Sequence, residues 1–273
     1  IVDALVKAAK RGGAEIIQGT AKKILTENGA VSGVLLENGE ALPADSVILA
    51  TGGMSYPLTG STGDGYKIAR ALGHTVTEIK PSLVALNAHE GFCERLAGLS
   101  LKNVALSVFE EGRKKPVFSE LGEILFTHFG ISGPLVLSAS AHMRYIGKKQ
   151  YTAAIDLKPG LTPEQLDKRI LRDFDEEKNR DFINSLNKLL PKSLIPIVVR
   201  LSCIEPDRKV NSISREQRAA LCRVLKEFTL HITGTRPIDE AIITRGGISV
   251  KEIDPKTMGS RLISGLYFAG EII

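Results

Sequence analysis

Several features that assign a protein quickly are missing from this 273-residue sequence. There are three cysteines, Cys93, Cys203 and Cys222, far apart and without a C-x-x-C pair. That spacing gives no zinc pattern and no disulfide framework, and it fits a reducing, cytoplasmic compartment. No apolar run approaches the roughly 18 residues of a membrane-spanning helix, so no membrane partner is expected. No strand pattern is followed by G-x-G-x-x-G, and no glycine-rich loop ends in Lys-Ser or Lys-Thr. The dinucleotide fingerprint and the P-loop are both absent from these residues. No internal repeat is visible.

The charge balance is mild. Thirty-six Lys and Arg against 31 Asp and Glu give +5. The basic runs Arg113-Lys114-Lys115 and Lys148-Lys149 are short and flanked by turn residues, which reads as solvated loop. A nucleic-acid binder more typically gathers its cations on one face, so no nucleic-acid partner is expected. At 25% charged and 43% hydrophobic residues, the composition is that of an ordinary globular protein with room for two domains.

Local patterns define an α/β chain. Residues 2–10 have helical spacing and stop at Gly12-Gly13. Residues 14–18 read as a short strand. Asn28-Gly29 and Asn38-Gly39 are hairpin signals, so residues 22–44 read as a three-stranded meander. Residues 47–50 are apolar throughout, as in a strand covered on both faces. Residues 64–72 read as a helix capped by Thr62 or Asp64 and ended by Gly73.

From Pro81 to about residue 159 the pattern changes to short strands, at 83–86, 104–109, 116–118, 124–127 and 151–157, with a helix at 134–141. Strands of this spacing with glycine turns predict a small barrel or sandwich. Thr162-Pro163-Glu164-Gln165 and Ser214-Arg215-Glu216-Gln217 are capping-box signatures. They open helical patterns over 166–190, resuming at 197–204, and over 218–228. Strand pattern returns at 241–244, 248–250 and 266–269.

Five motifs carry candidate chemistry. Ala50-Thr51-Gly52-Gly53 ends a buried strand in small residues, which let a ligand approach the backbone closely. Gly60-Ser61-Thr62-Gly63-Asp64-Gly65 turns into a helix whose N-terminus favours anions; its plainer reading is an ordinary helix start. Ala269-Gly270-Glu271 ends the last apolar strand in a carboxylate suited to accept from sugar or ribityl hydroxyls; its plainer reading is a surface acid. His128, in Thr127-His128-Phe129-Gly130-Ile131-Ser132-Gly133-Pro134, is a candidate acid or base, but no nearby carboxylate orients it. Arg245, in Thr244-Arg245-Gly246-Gly247, offers a cation to an anionic substrate or a reduced flavin.

Two apolar strands ending in A-T-G-G and A-G-E, separated by barrel-like and helical regions, resemble two-dinucleotide-fold flavoproteins. The strings ATGGMSYPLTGSTGDGYKIARALGHTV, ILFTHFGISGPLVLS and TRGGISVKEIDPKTMGSRLISGLYFAGEI narrow the match. They are similar to the BaiN/YhiN-type family of bacterial NAD(P)/FAD-dependent, aminoacetone oxidase-like oxidoreductases, over nearly the whole chain. The resemblance implies an incomplete FAD domain (residues 1–80 and 263–273), a β-barrel-like insert (81–160, returning at 234–262) and an all-helical insertion within it (161–233). It implies FAD contact by Thr51 and Gly52, with Ala50 and Gly53 beside them, and by Gly270 and Glu271. Ser55, within residues 54–57, would border the flavin more loosely, as would Thr62 and Gly63. Ala21 stands where related flavoproteins place a Val whose backbone meets adenine.

The implied activity is hydride transfer through flavin N5, as an amine oxidase or an NAD(P)H-linked reductase acting on a small molecule. The catalytic acid or base is unassigned, with His128 and Arg245 as candidates. Whether NAD(P)H binds is undecided. The sequence begins inside a helical pattern and carries no fingerprint, so an internal piece with little stable FAD binding is expected, its apolar strand edges prone to self-association. The alternative is a non-catalytic binding or scaffold module whose glycine turns are only structural.

Overall fold

The computed structural model describes residues 2–273. In chain order it runs α1 (Val2–Arg11), β1 (Ala21–Glu27), β2 (Ala30–Leu36), β3 (Ala41–Pro43), β4 (Val47–Leu49), α2 (Asp64–Ala71), β5 (Lys80–Ser82), β6 (Leu86–Ala88), α3 (Phe92–Arg95), β7 (Ser100–Glu110), β8 (Phe118–Thr127), β9 (Gly130–Ser132), α4 (Pro134–His142) and β10 (Tyr151–Asp156). Helices α5 (Pro163–Glu176), α6 (Phe182–Ser185), α7 (Ile195–Ser202) and α8 (Arg215–Lys226) follow, then β11 (Phe228–Thr235), β12 (Ile243–Arg245) and β13 (Leu266–Phe268). The chain divides into two compact units, residues 1–80 with 244–273, and residues 81–243.

In the first unit the two Asn-Gly signals produce the antiparallel order β1-β2-β3. Beside this meander is a two-stranded parallel ladder pairing Leu266 with Val47, Tyr267 with Ile48 and Phe268 with Leu49. Ile24, Val31, Leu49, Tyr66, Ile68, Leu266 and Phe268 share one buried cluster.

Residues 244–262, expected with the barrel, belong here instead. Ile248 and Ile253 lie in that same cluster. Buried His74 holds the segment: Glu252 Oε2 lies 3.2 Å from its Nδ1 and Ser260 Oγ 2.9 Å from its Nε2. Its ring stands edge-on to Phe268. The Ser260 oxygen already accepts from the N–H groups of Leu262 and Ile263.

The second unit is a closed antiparallel barrel in the order β10-β11-β6-β9-β8-β7. Alternate residues fill it, as the two-residue period of a strand requires. They include Leu106 and Val108 from β7, Ile124 and Phe126 from β8, Ala153 and Ile155 from β10, and Phe228 and Leu230 from β11, all fully buried. Helices α5–α8 lie between β10 and β11. Their apolar faces, through Leu166, Ile170, Phe174, Leu221 and Leu225, join the same buried cluster as the barrel. Barrel and helices therefore form one unit.

Both capping boxes form, at Thr162 with Gln165 and at Ser214 with Gln217. The helix expected over 166–190 stops at Glu176. The run Asp175-Glu176-Glu177 places negative charge at its C-terminal end, where the helix dipole disfavours it, and the last turn has no basic residue. Residues 14–18 form no strand. No neighbouring strand among the described residues pairs with them, and an unpaired strand leaves its backbone groups unsatisfied. The strand expected at 83–86 starts at Leu86, because Leu83 has a φ of 49°. The segment 248–250 makes a single bridge from Ile248 to Val76 before a 3-10 turn. Helix α2 is capped neither by Thr62 nor by Asp64: Gly63, at φ 80°, takes the N-cap position without a side-chain bond.

Candidate functional site

The parallel pairing of β4 and β13 brings the A-T-G-G and A-G-E ends together. The Ala269 N–H donates to the Leu49 carbonyl at 3.2 Å, so the contact continues past the ladder. Beyond it Ala50, Thr51, Ala269 and Gly270 are all exposed. Gly270 has a φ of 80°, and a Cβ built on it would meet no atom within 4 Å. The first unit therefore presents the C-terminal ends of two parallel strands, lined by small residues, with open space in front of Gly270.

Behind this rim lies a hydrogen-bond knot. Glu271 Oε1 accepts from the Ser55 hydroxyl at 3.1 Å and from the Thr244 N–H. The Thr244 hydroxyl oxygen accepts from the N–H groups of Met54 at 2.7 Å and Ser55 at 3.1 Å. Ser55 is 2% exposed and Thr244 7%. The Tyr66 hydroxyl donates to the Glu271 carbonyl at 3.2 Å. Burial, and then the Glu271 charge, push the Tyr66 hydroxyl above its usual range. The knot ties the loop after β4 and the segment around β12 to the end of β13. Both of these bonds to the Glu271 carboxylate fall on Oε1.

The remaining candidates divide. Gly53 is buried, and a Cβ there would collide with the Thr244 side chain. Its glycine is explained by packing against Thr244, not by ligand approach. Gly52 has a φ of 72° and lies beside the Ser61 hydroxyl. Exposed Thr62 donates to Asp64 Oδ2 at 2.6 Å, and Lys67 reaches Oδ1 at 2.8 Å. The Lys67 bond, and then the Thr62 bond, hold the Asp64 carboxyl below its usual range. The start of α2 thus already carries an anion of its own. Gly63 is buried beneath Met54. Ala21 opens β1, half-buried against the first core. Arg245 is half-buried in the first unit, and His128 is exposed in the second. The His128 ring meets Phe129 edge-on at 5.0 Å, and Arg236 stacks on Phe129 at 4.4 Å.

Sequence reasoning overlooked Thr244 and Tyr66. A signal for Thr244 was present, since Gly53 needs a neighbour that forbids a Cβ, but the distance along the chain hid which one. Near His128, the buried atoms Asn87 Oδ1 and Thr127 Oγ1 have no hydrogen-bond partner among the described residues. Both residues pair with Gly130 in the barrel ladder, one on each side. Among the described residues no group of three or more His, Cys, Asp or Glu is arranged to hold a metal, and no helix is long and apolar enough to cross a membrane.

Residues 80–243 match the family model of the HI0933-like protein barrel and H2TH domain. The chain belongs to the HI0933-like family. This agrees with the resemblance carried by the three motif strings. Residues 7–92 also match the model for glucose inhibited division protein A. The 3-dehydro-bile acid delta(4,6)-reductase of Clostridium scindens is 32% identical over 88% of this chain and 58% of its own length. The ribosomal RNA dihydrouridine synthase of Escherichia coli is 30% identical over 100% of this chain and 65% of its own. The chain thus spans less than two thirds of the relatives it matches. Two structures of Aquifex aeolicus GidA are similar at TM-scores of 0.32 and 0.36. Their identities are 14% and 13%, over 94% and 99% of this chain and 41% and 45% of theirs.

Proposed function

We propose that this HI0933-like chain supplies part of the site of an FAD-dependent reductase that saturates a C=C bond conjugated to a carbonyl group. The observation that carries the reading is the parallel pairing of β4 with β13, which sets Thr51 and Gly270 at one exposed rim. Strand ends of an α/β sheet are where such ligands dock. The rim fits a flat cofactor in one specific way: small residues, and no atom within 4 Å of a Cβ on Gly270. The relatives' names support the reaction class. A delta(4,6)-reductase of a 3-dehydro-bile acid and a dihydrouridine synthase both imply reduction of an alkene activated by a carbonyl. That favours the reductase branch of the expected chemistry over the amine oxidase branch.

When bound, FAD supplies the hydride chemistry. The chain's own residues do the holding. Exposed backbone at Ala50–Thr51 and Ala269–Gly270 lets the cofactor approach without a side chain between. Glu271 Oε2 accepts from ribityl or ribose hydroxyls, while Oε1 stays in the knot with Ser55 and Thr244. Arg245, in the same unit as the rim, is a candidate partner for negative charge. NAD(P)H is the electron source in this reading.

These 273 residues carry no G-x-G-x-x-G turn to seat the pyrophosphate, so FAD affinity of this chain is expected to be weak. Titration followed by flavin fluorescence checks it. Quenching that saturates only well above micromolar FAD is expected; saturation at micromolar FAD or below contradicts it.

A further inference from the structure

The turn from β10 into α5 holds a lysine amine that its surroundings do not neutralise. The backbone of Lys158 is fixed on both sides. Its N–H donates to Asp156 Oδ1 at 2.9 Å, and its carbonyl accepts from the Leu161 N–H at 3.1 Å and from the Lys226 ammonium at 3.2 Å. Its side chain is half-buried. Among the described residues the Lys158 ammonium has no hydrogen bond and no ion pair, since the nearby acid, Asp156, is taken by Lys226.

Beside this turn, Leu161, Gln165, Lys168, Arg169 and Arg172 line a cleft of about 440 Å³. Three of these five residues are cations and none is an acid. The acid next along the helix, Asp173, is taken by Arg169 at 2.8 Å and lies 3.5 Å from Arg172. Glu164 and Asp167 line a different cleft, with residues of α8. Lys168 and Arg172 are exposed, so their charge faces whatever enters from solvent. Burial lowers the proton affinity of Lys158, and the Arg169 charge adds to the effect. A desolvated lysine beside a second cation holds more free amine near neutral pH, and the free amine is the nucleophile.

We propose that Lys158 is a site of acylation by small acyl phosphates. The cations of the cleft gather the phosphate end of the reagent, and the Lys158 nitrogen attacks its acyl carbon. A C–N bond forms, the C–O bond to phosphorus's oxygen breaks, and the amine proton goes to the departing phosphate. The products are an uncharged amide and inorganic phosphate, with no change of oxidation state. Acylation also ends the repulsion between Lys158 and Arg169. The inference concerns only the second unit and does not rest on the flavin reading.

The test is incubation of the chain with acetyl phosphate at neutral pH, with acetylation at each lysine followed by mass spectrometry. Two lysines serve as internal standards. Lys114 is exposed in the loop between β7 and β8, and Lys188 has its proton affinity raised by its bond to Glu176 at 2.6 Å. Lys158 is expected to react at least about fivefold faster than either, because a tenfold change in free amine needs only about one pKa unit. K168Q/R172Q, with a circular dichroism spectrum like that of wild type, is expected to slow acetyl phosphate at Lys158 by at least about threefold. The same variant is expected to leave the reaction of Lys158 with uncharged acetic anhydride unchanged. In wild type, added inorganic phosphate is expected to slow acetyl phosphate at Lys158 and not at Lys114, which keeps the test valid if the variant misfolds. The proposal is overturned if Lys158 reacts no faster than Lys114, if K168Q/R172Q slows both reagents alike or neither, or if inorganic phosphate acts equally at the two lysines.

Discussion

Phe268 stands beside Leu49 in a parallel ladder, so two stretches from opposite ends of the sequence emerge at the same rim. The ladder has only these two strands among the described residues. The outer edge of β13 is covered by residues 258–260, whose Gly259 bridges Tyr267, whereas β4 pairs with no second strand among the described residues, and Ile48 at its centre is 65% exposed.

An apolar, unpaired edge invites pairing with another chain. The 273-residue chain is expected to self-associate through this edge, and Ile48→Lys is expected to shift it toward monomer. Sedimentation velocity over a range of concentrations checks this. A wild-type chain that stays monomeric throughout, or an Ile48→Lys variant that associates equally, contradicts it.

The knot at Glu271 makes a separate prediction. Hydrogen bonds donated by buried groups to a carboxylate are worth about 1.5–3 kcal/mol each. Glu271→Ala leaves the Thr244 N–H and the Ser55 hydroxyl without their acceptor, and is expected to cost about 2–4 kcal/mol in urea unfolding. Glu271→Gln retains an acceptor oxygen and is expected to cost about 1 kcal/mol or less. Equal losses in the two variants would show that the carboxylate's acceptor role is not what stabilises this unit.

In the barrel, Glu110 is almost fully buried at the end of β7. It accepts from Lys149 at 2.7 Å and from the Tyr151 hydroxyl at 2.9 Å, with Arg113 3.2 Å away. The Lys149 bond chiefly holds its carboxyl below the usual range, against the opposing effect of burial, and the Tyr151 bond assists. A lowered folded pKa contributes stability above the unfolded value, near 4.3, that fades as pH falls through the folded value. Acid unfolding of wild type is therefore expected to steepen below about pH 4.3. Glu110→Gln is expected to lose that part of the pH dependence while being less stable at pH 7. An unchanged acid profile in Glu110→Gln contradicts the assignment.

Much of this architecture was legible because local chemistry agreed with tertiary demand. Asn28-Gly29 and Asn38-Gly39 made hairpins, and Thr162 and Ser214 made capping boxes, as their side chains dictate. The two apolar strands could be read as partners because each ends in small residues. What escaped depended on distant neighbours. Residues 14–18 have strand-like composition but no strand to pair with. The run 166–190 has helical spacing, yet its acids oppose the dipole at Glu176. Residues 244–262 join the first unit through His74, a lone histidine in sequence whose partners, Glu252 and Ser260, are far along the chain. Gly53 likewise read as a place for a ligand, when Thr244 fills the space beside it.

The central claim is that the rim formed by Thr51 and Gly270 meets FAD. Amide hydrogen exchange of this chain, with and without a large excess of FAD, tests it most directly. Slower exchange at residues 51–55 and 269–271, with the barrel amides unchanged, is the predicted result. Protection confined to residues 81–243, or FAD binding that leaves the rim amides exchanging as before, would contradict it.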